Sequence, residues 1–67
     1  MLHRIFVIYI EFTRHSLAMA DASIECCELM LTGSPQELSD AQRRFLDSRQ
    51  EATMLSYLMY RELTNAY

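Results

Sequence analysis

Two histidines, His3 and His15, and one adjacent pair of thiols, Cys26 and Cys27, are the side chains with the clearest capacity for metal or nucleophilic chemistry. Glu11 and His15 stand four apart, on one face of a helix, where a carboxylate and an imidazole could offer two metal ligands. Two ligands leave a zinc site short of the three or four protein donors it needs, and the same spacing is that of a plain helical ion pair. Adjacent cysteines form neither a spaced disulfide framework nor a C-x-x-C redox or zinc motif, so both read as small apolar filler in a reducing compartment. No serine, cysteine or carboxylate has a spacing that sets a base beside it. With a single glycine, no loop is built to cradle a phosphate. The expectation is a chain with no catalytic residue, no cofactor, no metal and no small-molecule substrate.

Charge and length narrow the class further. Nine acidic residues against six arginines, with no lysine, give a net charge of −3. That balance argues against a direct nucleic-acid partner, which calls for a basic footprint. The opening "MLHRIFVIYIEFTRHSLAMA" has a basic start, an apolar run and an Ala-Met-Ala end, but the run reaches only from Ile5 to Ile10 before Glu11 interrupts it. A secretory signal needs about 7–15 apolar residues and a bilayer span about 20. The reading is therefore a soluble, cytoplasmic protein. At 67 residues the chain makes one domain, 1–67, and a domain of this size buries only about 60% of its unfolded surface. Small scaffolds usually need a disulfide, a metal or a partner chain, and only the partner chain is left.

The elements that must position these residues are set by one punctuation mark, "TGSPQELSD", residues 32–40, which holds the only glycine and the only proline. Gly33 suits a helix C-terminus, where it can take positive φ without a Cβ clash. Ser34, Pro35 and Glu37 then make a capping box with proline at the first helical position. A second box starting at Ser39 competes with it and would leave residues 35–38 as a separate short turn. The fold class predicted is all-α, an antiparallel helical hairpin of two long helices joined near Gly33 and Pro35. The β-branched and aromatic run at residues 5–10 favours a strand locally, but a strand there could pair only with a second copy, and helix is the reading adopted.

Hydrophobic spacing shows more apolar surface than a hairpin can cover. On the second helix Leu38, Ala41, Phe45, Ala52, Leu55, Met59 and Ala66 share one side, interrupted only by Ser48 and Glu62, and form the seam toward the first helix. Met54 and Leu58 lie off it, flanked by Tyr57 and Arg61. The first helix carries two series. Ile5, Ile8, Phe12, His15, Met19, Ala22, Cys26 and Leu29 face the seam, where His15 could fix register. Phe6, Ile10, Thr13, Leu17, Ala20, Ile24, Cys27 and Leu31 point well away, and only the arc of Arg14, Asp21, Glu25 and Glu28 is clearly polar. Arg43 and Arg44 could answer that acidic stripe across the hairpin. The expected partner-binding residues are Phe6, Ile10, Leu17, Ile24, Leu31, Met54, Tyr57, Leu58 and Arg61. Their occupant would be a heterologous helical protein or a second copy of the chain, completing the hairpin. The competing possibility is a compact three-helix fold with a kinked first helix, in which both series belong to one enclosed core.

The stretches "ECCELMLTG" and "RFLDSRQEATMLSYL", with Glu25, Cys26, Gly33, Phe45, Leu46, Ala52 and the apolar end of the second helix, resemble the small two-helix co-chaperones of type III secretion systems. That family helps a repeat-containing helical chaperone keep the needle subunit unpolymerised. The apolar start "IFVIYI" departs from the polar beginning expected of it. "ELSD" and the helix after it, with Glu51 at the place of an acidic contact residue, are similar to the haemolysin-expression modulators that bind a nucleoid-structuring protein, although the tryptophan of that group's tail is missing. Both resemblances imply a small non-enzymatic helical adaptor that presents apolar faces to another protein. The alternative is a homodimeric four-helix bundle acting as a regulator or a phage-type inhibitor.

Overall fold

A computed structural model describes the backbone of residues 2–66 and the side chains of residues 3–65. It consists of two α-helices, α1 (Leu2–Thr32) and α2 (Pro35–Ala66), packed against each other. Helices of 31 and 32 residues are each about 47 Å long at 1.5 Å per residue, and the molecule measures 50 × 13 × 11 Å. The helices therefore lie side by side along their whole length, antiparallel, with only Gly33 and Ser34 between them. The described residues form neither a kink into a third helix nor a strand. The run at residues 5–10 is helical because the growing α1 adds one hydrogen bond per residue fixed. A lone strand would leave its ladder groups unmet, which outweighs the small helix penalty of β-branched residues.

The connection resolves the competition between the two capping boxes. The Glu37 N–H donates to Ser34 Oγ at 3.2 Å, and the Leu38 N–H donates to the Ser34 carbonyl at 3.1 Å. Ser34 is thus the N-cap, with Glu37 in the positive first turn. Ser39 and its box lie inside α2 and start nothing, and residues 35–38 are its first turn rather than a separate one. The reason expected for Gly33 is corrected, since no glycine has positive φ. Its N–H instead closes on the Leu29 carbonyl at 2.9 Å. A Cβ there would overlap the end of the Leu29 side chain and come within 3.0 Å of its Cβ and 3.2 Å of its Cα. Glycine is favoured there by close packing on Leu29 rather than by handedness.

Both seam series fall where their spacing puts them. Ala22, Cys26, Ala41 and Ala52 are buried, and Ile5, Ile8, Phe12, His15, Met19, Leu29, Leu38, Phe45, Ser48, Leu55, Met59 and Glu62 are half-buried. The side chain of Ala66, assigned to the same seam, lies outside the described residues. Among the described residues no side chain larger than cysteine is buried, so the interior is one thin layer of small residues flanked by larger ones that still see water. Ion pairs pin the register at both ends: Arg4 Nε lies 3.3 Å from Glu62 Oε1 at the open end, and Arg44 Nη2 donates to Glu25 Oε1 at 2.7 Å nearer the turn. The answer of Arg44 to the acidic stripe is the one the sequence anticipates. Exposed pairs of this kind contribute about 0.2–1 kcal/mol each, enough to select a register but not to hold the fold.

Candidate protein-binding faces

Glu11, the carboxylate of the best candidate ligand pair, is engaged by its own helix. Arg14 Nη2 donates to Glu11 Oε2 at 2.6 Å, while His15 Nε2 stands 3.9 Å from the same oxygen. His15 is half-buried on the seam, as its spacing requires. Among the described residues no group of three or more His, Cys, Asp or Glu side chains converges. Cys26 is buried, and Cys27, one position further round the helix, is exposed, so only the first of the two thiols is interior filler within the hairpin. Replacing both with alanine is expected to lower stability by about 1 kcal/mol through the Cys26 sulfur and, because Cys27 is a small residue on the exposed side of α1, to weaken association only slightly. Urea unfolding and sedimentation check this, and loss of association with the helicity retained would assign a thiol a role of its own.

The second series of α1 is open to solvent along its length. Leu17 is 62% exposed, Ile24 57%, Phe6 61% and Leu31 87%, with Ile10, Ala20 and Cys27 also exposed and Thr13 half-buried. These residues occupy the side of α1 turned away from α2, because α2 already takes the opposite side. On α2, Met54, Tyr57 and Arg61 are exposed, and they border two adjoining shallow depressions. Leu58 is different. It lies one helical turn from both seam residues Leu55 and Glu62 and is half-buried, so it is not the purely outward residue its stripe implies.

Several exposed apolar residues escape the stripe reading: Val7, Tyr9, Met30, Leu46, Tyr60 and Leu63. They sit between the two stripes, at positions that periodicity alone leaves unassigned. The charge distribution would have found Tyr9 and Leu63. The two long grooves where the helices meet differ in kind. One is bordered by Asp21, Glu25, Arg44 and Asp47 together with Ala18 and Ser48. The other is bordered by Phe12, Ser16, Met19, Phe45, Thr53 and Ser56, with Arg49 as its one charge, and it continues at the open end into an apolar hollow lined by Phe6, Tyr9, Met59 and Leu63. Charge gathers on one flank, and low-polarity surface runs from the other flank around to the outer side of α1.

No described helix is long and apolar enough to cross a membrane. The assembly of features defines a class, an antiparallel helical hairpin with a thin small-residue seam and an uncovered apolar ridge. Compared with known proteins, the chain matches no family model, no curated protein and no solved structure.

Proposed function

We propose that this protein works by binding another protein chain through the outer apolar side of α1 and the exposed end of α2, as a small non-enzymatic helical adaptor in the cytoplasm. One observation carries the reading: the large aliphatic residues Leu17, Ile24 and Leu31, all more than half exposed, lie on one continuous side of a helix. Monomeric proteins rarely expose contiguous apolar surface of this extent unless it is a place of contact. A co-chaperone role like that of the type III secretion family is one form such an adaptor could take, supported by the residues around the turn and the α2 midsection. A nucleoid-protein modulator or a phage-type inhibitor is another form, and all share the same binding step.

The test is the state of the purified chain in solution. A helical species that is not a well-behaved 7.9 kDa monomer is expected at micromolar concentration by sedimentation. A compact, soluble monomer that melts cooperatively would overturn the reading, because the ridge would then need no cover.

A further inference from the structure

We infer that the outer ridge of α1 is the contact surface for a second copy of this chain, laid antiparallel along it about a two-fold axis that runs between the copies at the level of Ala18 and Met19. The inference rests on the protein-binding reading above and names the partner.

The ridge alternates in size. Its aliphatic residues Ile10, Leu17, Ile24 and Leu31 recur every seventh position, and between them stand the small residues Thr13, Ala20 and Cys27. In the antiparallel arrangement each large aliphatic residue except Leu31 meets a small one, and Leu31 meets Phe6. Leu17 faces Ala20 of the second copy, Ile24 faces Thr13 and Ile10 faces Cys27, while Phe6 and Leu31 close the two ends. A parallel pair would set large on large and small on small. Facing helices pack to native density when large and small positions interdigitate. The one hydroxyl on the ridge is already satisfied, since Thr13 Oγ1 donates to the Tyr9 carbonyl at 3.0 Å, so it can be covered without stranding a donor.

Charge selects the same register. Along the edge of the ridge stand Val7, Arg14, Asp21 and Glu28, each a heptad apart. The same axis brings Arg14 against Asp21 of the second copy and, by symmetry, Asp21 against Arg14, giving two equivalent ion pairs in an isologous interface. Sliding one copy a heptad one way sets Arg14 against Arg14; sliding it the other way pairs Arg14 with Glu28 but sets Asp21 against Asp21 and shortens the overlap. On the other edge Ser16 meets Ser23 and Tyr9 meets Met30, with no charge present. The register that pairs opposite charges without a like-charge contact is also the one that overlaps the two helices most fully.

The exposed area is large enough for such an interface. The hairpin exposes 5333 Å², whereas a compact monomer of its mass exposes roughly 4,400 Å². The excess of about 900 Å² is close to the ~800 Å² that each partner buries in a standard stable interface. In such a dimer the two α1 helices become the centre of a four-helix assembly, and the Met54, Tyr57 and Arg61 end of α2 stays open.

Sedimentation equilibrium on the full chain, on Arg14→Asp, on Asp21→Arg and on an equimolar mixture of the two variants tests this. Both positions are exposed, and circular dichroism on each variant confirms that the hairpin is intact. The wild-type chain is expected to be a dimer. Either reversal alone places two like-charge contacts in the dimer and should weaken self-association about tenfold at low salt. The mixture should restore a heterodimer of near wild-type affinity. A dimer indifferent to either reversal, or a mixture that associates no better than its components, overturns the antiparallel register and leaves the binding role standing. A chain that aggregates without a defined dimer overturns the second copy as occupant but not the need for a partner. A cooperative monomer overturns both.

Discussion

Leu17→Glu is expected to leave the helical content of the chain unchanged and to abolish its association. Leu17 is 62% exposed on the outer ridge, glutamate is a good helix former, and the new carboxylate would stand one turn from Arg14, so the isolated hairpin loses little. Association is another matter. In any complex that covers the ridge, a carboxylate replaces an aliphatic side chain at the middle of the contact and is stripped of water without a partner. Burying an unpaired charge costs at least several kcal/mol, and about 3 kcal/mol already raises a dissociation constant more than a hundredfold. Circular dichroism and sedimentation read the two effects separately. If Leu17→Glu melted the helices instead, the ridge would belong to an enclosed core and the two-sided reading of α1 would be wrong. Leu58→Glu, by contrast, is expected to lower both helicity and association, because Leu58 is half-buried beside Leu55 and Glu62.

Phe45→Ala is expected to do the converse and weaken the fold itself. Phe45 is the largest side chain on the α2 side of the seam and borders the low-charge groove with Phe12 and Met19. If it were fully buried its truncation would cost about 3–5 kcal/mol. It is only half-buried, so about 2 kcal/mol is expected, or roughly a 10 °C fall in Tm for a domain of this size. A hairpin whose buried side chains, among the described residues, are Ala22, Cys26, Ala41 and Ala52 has little stability to lose, and helicity at ambient temperature should drop visibly. Thermal denaturation followed by circular dichroism decides it, with no change in Tm as the result that would remove Phe45 from the seam.

The sequence by itself determined the two helices, their break at Gly33 and Ser34, and which side of each faces the other. These are local properties. Apolar residues at heptad spacing can share a face only in a helix, Ser34 and Pro35 can start one, and Ala22, Cys26, Ala41 and Ala52 are small where the helices must approach. The same periodicity separated the outer ridge through Leu17 and Ile24 from the seam, because the two series lie on different sides of one cylinder whatever packs against it.

What only the tertiary structure decided depends on distances between the helices. Spacing could not say that Ser34 rather than Ser39 would cap α2, because both boxes satisfy the same local hydrogen bonds and only the length of the connection chooses between them. Nor could it say that Gly33 is favoured by close packing on Leu29 rather than by positive φ. The half-burial of Leu58 follows from how the two helices pack, which no pattern within one helix encodes. The split between a charged and a low-charge groove is likewise a joint property of both helices, since Arg44 reaches Glu25 and Arg49 borders Phe12 only once the hairpin has closed and brought residues distant in the chain onto a common flank.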